Sequence, residues 1–389
     1  MGIVFQPTLQ HIAYVKVARG VLYAMDMGMW TNRLVTLESV MNDYAKIIQE
    51  KISTIILPVT VFTLRRLAYK QINSTDKQKY STLPTKIQKT LAGIVMALGL
   101  EIVSWYNPMR TYLNKKLDIR NILSWSSIGF IDRFETVRVL IQNKDVMIKY
   151  RFFLACKYFF EKDVQKLWAI MPEANRTYFE VVYKHSISIQ YWLKALTNST
   201  TLDWEQMLHS IGEEKFFNQN FLGIRYYFAK LPGPEIRQRC ILTHLKCKWI
   251  NYSDVYLCLS QLNDEELNSI FTRLSRTHLY YVFRNLLQWP FQFMFLDVIK
   301  SFKSHITEKI FHDLIIFILN EKINKARHDH QYVDLLENFW NSMSPHFGYF
   351  VERNEKLKTV LQYVFDAPVP FNVKDYKDFI SAFYTKEPR

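Results

Sequence analysis

Residues 263–276 read NDEELNSIFTRLSR, and this stretch decides the fold class. Asn263 is a helix N-cap residue, because its short side chain accepts a hydrogen bond from an amide that the helix leaves unpaired. Glu266, three positions on, is placed to reach back to the amide of Asn263, the reciprocal arrangement of a capping box. Asp264 and Glu265 add negative charge at the positive end of the helix dipole. Leu267, Ile270, Phe271 and Leu274 then recur at i, i+3, i+4 and i+7, which lines one face of a helix with apolar side chains.

The same period continues outward. Leu279, Val282, Phe283, Leu286 and Leu287 form a second stripe. It ends at Trp289-Pro290, since proline has no N–H for the ladder. Phe293, Leu296 and Ile299 form a third, Ile310, Phe311, Leu314, Phe317 and Ile318 a fourth, and Leu335, Leu336, Phe339 and Trp340 a fifth. Helices of this length joined by short polar segments predict stacked helical hairpins. Upstream, Asp203 and Gln206 mark another helix start, and Pro232-Gly233-Pro234 a break. Residues 8–27, 30–50, 53–72 and 85–106 read as further helices, with a polar loop at 73–84 and a second break near 125–129. Strands alternating with turn signals are not found.

Composition agrees. Of 389 residues, 49% are hydrophobic and 15% aromatic, which excludes a disordered chain, while only 10 glycines argue against turn-rich β folds and glycine-rich phosphate loops. The expected fold is therefore all-α, an α-solenoid-like array of stacked antiparallel hairpins. A basic, irregular helical region over 1–130 precedes a hairpin-repeat region over 131–389, or the two form one continuous domain. Such an array holds together through neighbour-to-neighbour interfaces.

Residues 134–171, FETVRVLIQNKDVMIKYRFFLACKYFFEKDVQKLWAIM, contain Phe134-Glu-Thr-Val137-Arg-Val-Leu140-Ile141 and then Ala155-Cys156-Lys157 followed by Val164 and Leu167. This segment resembles degenerate ankyrin-type repeats. The Thr-Pro-Leu-His start and the turn glycine of that repeat are absent, so the resemblance implies a helix-only relative acting as a binding scaffold.

The formal charge is +14, and positions 1–150, with 20 basic and 10 acidic residues, carry +10 of it. A basic surface suits an acidic protein, nucleic acid or anionic lipid. Basic and aromatic residues interleave at Arg65-Arg66-Leu-Ala-Tyr69-Lys70, at Lys149-Tyr150-Arg151-Phe152-Phe153 and at Lys246-Cys-Lys248-Trp249. Such clusters either grip phosphates while stacking on bases, or bury their rings and leave the basic heads as a solvated rim.

Four cysteines are too few and scattered for a disulfide framework, and the N-terminus lacks the basic-then-apolar pattern of a signal peptide. We therefore expect an intracellular, cytoplasmic rather than nuclear, protein. The apolar runs Ile52–Leu64, broken by Pro58, and Leu91–Tyr106, interrupted by two glycines and Glu101, fall short of the roughly 20 residues of a membrane span, so no transmembrane segment is expected. His328-Asp329-His330 offers three ligand types but reads as a solvated loop beside Lys322, Lys325 and Arg327. Cys240, His244 and Cys247, with Cys258, share the spacing of a helix face and read as its core stripe. Nucleophile-elbow, P-loop, dinucleotide and His-Glu-x-x-His motifs are all missing. No catalytic, metal-binding or cofactor-binding residue is assigned and no cofactor is expected. The leading expectation is a non-catalytic protein-interaction scaffold favouring an acidic partner. A non-specific nucleic-acid binder is the alternative, and an enzyme of unknown class comes third.

Overall fold

The computed structural model describes residues 7–31, 37–58, 80–113, 117–184, 186–203, 228, 231, 233–245, 252–368 and 371–385. The fold is all-α. Among the described residues the one β ladder is three residues long, Ile56–Pro58 (β1) paired antiparallel with Tyr80–Thr82 (β2). This corrects the expectation of a helix over 53–72 and a loop over 73–84 at their outer ends. Helix α3 stops at Ser53, because Pro58 cannot donate to a helical ladder and the β-branched Ile55-Ile56 pair suits extended backbone. Residues 59–79 lie outside the described residues.

Among the described residues, four helices build the N-terminal part: α1 (Leu9–Tyr23), the short α2 (Gly28–Thr31), α3 (Leu37–Ser53) and α4 (Thr85–Met109). Helix α1 begins where the Thr8 side chain accepts from the amide of His11. Helices α1, α2 and α3 all pack on α4, which buries Leu91, Ile94, Val95, Leu98, Ile102 and Trp105. Helix α4 exceeds the expected 85–106. Among the described residues it is the one helix that is long and apolar enough, by length and composition, to cross a membrane.

The chain continues through α5 (Arg133–Gln142), α6 (Ile148–Lys157), α7 (Glu161–Ile170), α8 (Glu173–Val182) and α9 (Ile187–Thr197). Then follow α10 (Gly233–Leu245), α11 (Tyr252–Leu259), α12 (Asp264–Arg273), α13 (Arg276–Leu286) and α14 (Gln292–Ser301). The last elements are α15 (Glu308–Phe317), a π-helical turn (Ile318–Ile323), α16 (Tyr332–Glu352), α17 (Glu355–Phe365) and α18 (Val373–Thr385). The predicted stripes fall on α12 to α16. The capping box is present: Asn263 Oδ1 accepts from the amide of Glu266 at 2.8 Å, and Glu266 Oε2 accepts from the amide of Asn263 at 3.2 Å.

Helices pack mainly on those one to three places away in sequence: α5 on α6, α6 on α7 and α9, α13 on α14 and α15, α14 on α16, α16 on α17. Other contacts join distant parts of the chain. The turn at 125–131, closed by a bridge between Trp125 and Ile131, seats Gly129 with φ +97° against the Trp289 ring. Buried residues from both ends of the chain belong to one hydrophobic cluster.

Candidate functional site

The segment expected as a solvated loop is packed. Lys322 sits on the π-helical turn and is only 5% exposed. Its ammonium donates to Gln288 Oε1 at 3.1 Å and lies 5.7 and 5.2 Å from the Phe317 and Tyr332 ring centroids. Burial lowers its pKa to about 8, Asp329 pulling the other way. Asp329 Oδ2 accepts from Gln292 Nε2 at 2.7 Å and from the Tyr332 hydroxyl at 3.0 Å, and Gln292 Nε2 also donates to that hydroxyl at 2.8 Å. Desolvation and the adjacent Asp329 carry the Tyr332 phenol well above its ordinary range.

His328 stays at the surface, whereas His330 is half-buried and its Nδ1 is sealed from solvent without a hydrogen-bond partner. The flanking residues thus do not join Asp329 in a ligand set, and no group of three or more His, Cys, Asp or Glu among the described residues is placed to hold a metal ion. The correction has a physical reason. The backbone of 328–329 lies directly on α4 at Gly93, where an added Cβ would come within 2.2 Å of the His328 carbonyl carbon. The sequence reading missed Lys322 as a buried group. Its signal was position: it extends the apolar stripe of Phe311, Ile315 and Ile318 by one more turn.

Cys240 and Cys258 are fully buried on α10 and α11, and burial pushes both the Cys240 and the similarly placed Cys156 thiol well above the usual range. They behave as small apolar core residues. Cys247 lies outside the described residues, as do the clusters at Arg65-Arg66-Tyr69-Lys70 and Lys246-Lys248-Trp249.

The described basic-aromatic cluster divides between core and surface. Phe152 is buried against Phe179 and Trp168. Arg151 donates from Nε to the Ile141 carbonyl at 2.5 Å. Lys149 lies 5.0 Å from the Tyr150 ring and 5.3 Å from Tyr178, while Phe153 lies against Tyr112 and Tyr183. These rings partner one another, and burial among them drives the Tyr183 phenol up to about 12.

A partly open apolar groove of about 30 Å³ lies between α11 and α13. Leu245, Val255, Leu259, Val282, Leu286 and Met294 line it, together with Tyr252 and Asn285. Tyr252 is 38% exposed. Elsewhere Ile170, Val181 and Val182 stand exposed at α7 and α8. No protein-family model, curated protein or solved structure matches this chain.

Proposed function

We propose that the chain is a non-catalytic protein-interaction scaffold, a closed variant of a stacked-hairpin array, which takes an apolar anchor side chain of an acidic partner into the α11–α13 groove. Packing of helices on near sequence neighbours supports the array reading, as does the resemblance of 134–171 to ankyrin-type hairpins. The observation that carries the function is the groove. Its lining is almost entirely apolar, which suits the tip of a small aliphatic anchor, whereas a catalytic pocket brings several polar groups to converge. The +14 charge favours an acidic partner by steering its approach.

The test compares the full-length chain with an Asn285→Trp variant, whose indole blocks the groove. Acidic proteins captured by the wild type and lost from an equally folded variant support the reading. Equal capture by both overturns it. The nucleic-acid alternative rests on the +10 excess in positions 1–150. Fluorescence anisotropy with single- and double-stranded oligonucleotides decides it: tight binding that collapses as salt rises would replace the scaffold reading.

A further inference from the structure

The junction between the N-terminal helices and the C-terminal half is built around two histidines. His11, on the first turn of α1, is half-buried, and its Nε2 is 3.0 Å from the Ile128 carbonyl oxygen, which fixes that nitrogen as the donor. Its ring lies between Trp289 and Phe293, with both centroids at 5.4 Å. His330 lies next to Tyr332, with its Nδ1 sealed and unpartnered. The charge of His11 is felt at His330, where it disfavours protonation. Four segments from distant parts of the chain therefore meet on two neutral imidazoles: α1, the 125–131 turn, the start of α14 and the 328–332 segment.

We propose that this junction is an acid-released clasp, in which protonation of His11 and His330 undocks the α1–α4 pair from the 289–293 and 328–332 segments. Neutral imidazoles suit the site as packed: one ring nitrogen of His11 donates to a carbonyl, and the sealed nitrogen of His330 needs no proton. A second proton on either ring places charge among Trp289, Phe293 and Tyr332, and protonating both sets like charges against each other.

The charged groups around the pair do not reverse this. On its own segment His330 faces Asp329, and on α16 it faces Asp334; both favour its protonation. Asp329 is already engaged by Gln292 and Tyr332. Lys322 and Arg327 add positive charge around Asp329 and Tyr332. Lys89 on α4 faces His328, the exposed member of the segment. The 125–131 turn and residues 289–293 contribute the Ile128 carbonyl, Gln292 and aromatic rings. For both histidines desolvation is the largest influence and lowers the pKa from the ordinary 6.5.

The sign follows from linkage. A histidine whose docked pKa is depressed binds fewer protons than when released, so docking is intact above 6.5 and weakens as pH falls below it. Each unit of separation between released and docked pKa is worth about tenfold in the docking equilibrium per histidine.

The experiment is amide hydrogen exchange of the full chain at pH 7.5 and pH 5.0, corrected for the intrinsic pH dependence of exchange. Residues 9–23 and 125–131 of the wild type are expected to lose at least about tenfold in protection at pH 5.0, while the α15–α16 core keeps its protection. The double variant His11→Gln, His330→Gln keeps a donor for the Ile128 carbonyl and cannot titrate, so its protection is expected to stay level between the two pH values. His278→Gln, on the exposed first turn of α13, serves as the control and is expected to follow the wild type. Should the double variant fold poorly, His11→Gln alone carries the test and should show a smaller loss than the wild type. An unchanged wild type at pH 5.0, or a variant that opens as the wild type does, overturns the clasp.

Discussion

The Trp289 indole donates its N–H to the carbonyl oxygen of Gly129 at 2.8 Å, joining residues 160 apart in sequence. The two groups occupy tight turns, one between the N-terminal helices and α5, the other between α13 and α14. Neither turn belongs to the repeating neighbour-on-neighbour pattern. Their contact, with the His11 ring tilted against Trp289, closes the N-terminal helices onto the C-terminal half.

Gly129→Ala should therefore cost more than Trp289→Phe. Gly129 has φ +97°, which L side chains rarely adopt, and its added Cβ would meet Trp289 Cζ2 at 2.7 Å. Strain and overlap together predict a loss of about 2–4 kcal/mol. Trp289→Phe removes one hydrogen bond and part of a ring, for about 1–2 kcal/mol. Urea unfolding of both variants, with equal m-values, checks the order.

Gly93→Ala is a second probe of the same closure, at a different surface. The added methyl would lie 2.2 Å from the His328 carbonyl carbon and 2.4 Å from the Asp329 amide nitrogen, both backbone atoms. Alanine favours an isolated helix over glycine by about 1 kcal/mol, so local propensity predicts stabilisation. The close approach predicts the opposite, a net loss of about 1–3 kcal/mol. A rise in melting temperature would contradict the packing of α4 on the 328–329 segment.

These positions mark where sequence reading stops. Stripes, caps and the all-α class are local properties, set by 3.6-residue periodicity and by groups three positions apart, and Asn263 with Glu266 shows how fully such signals are legible. Gly93 reads, in sequence, as an interruption of an apolar run. Its reason is a strand of backbone 235 residues away, which no local pattern encodes. His328-Asp329-His330 reads as polar and hence solvated, because the partners that bury Asp329 and His330 come from other helices. The groove was equally invisible: Tyr252, Val255, Tyr256 and Leu259 are a plain core stripe until the opposite helix leaves a gap.

Lys322 should impose an alkaline pH dependence on stability. Burial lowers its pKa from 10.5 to about 8 in the folded chain, so the folded state binds fewer protons than the unfolded one between those values. Stability from this group is lowest below pH 8 and rises as pH climbs from 8 towards 10.5. Replacing the buried amine by an apolar side chain of similar length removes the penalty. Lys322→Met is expected to raise stability at pH 7 by about 1–2 kcal/mol, less than the shift alone implies because the Gln288 hydrogen bond is lost. Denaturation at pH 7 and pH 9.5 should give a gain in the wild type and a flat response in the variant.

Glu266 does two jobs, so its replacement should exceed that of its capping partner. Asn263→Ala removes one side-chain cap, worth about 1 kcal/mol. Glu266 also pairs through Oε1 with the Arg237 guanidinium of α10, at a carboxylate whose side chain is only 7% exposed. Next to it, Ser269 donates to Gln238 Oε1 at 3.1 Å, so the α10–α12 contact is polar along two successive turns. Glu266→Ala removes the reciprocal half of the capping box and leaves Arg237 partly buried without its carboxylate, for a loss of about 2–4 kcal/mol. Arg237→Ala in the same background should then cost little more, so a double-mutant cycle should show coupling of about 1–2 kcal/mol. Additive losses in that cycle would show that the ion pair contributes nothing to holding α12 against α10, leaving the capping box as the whole effect of Glu266.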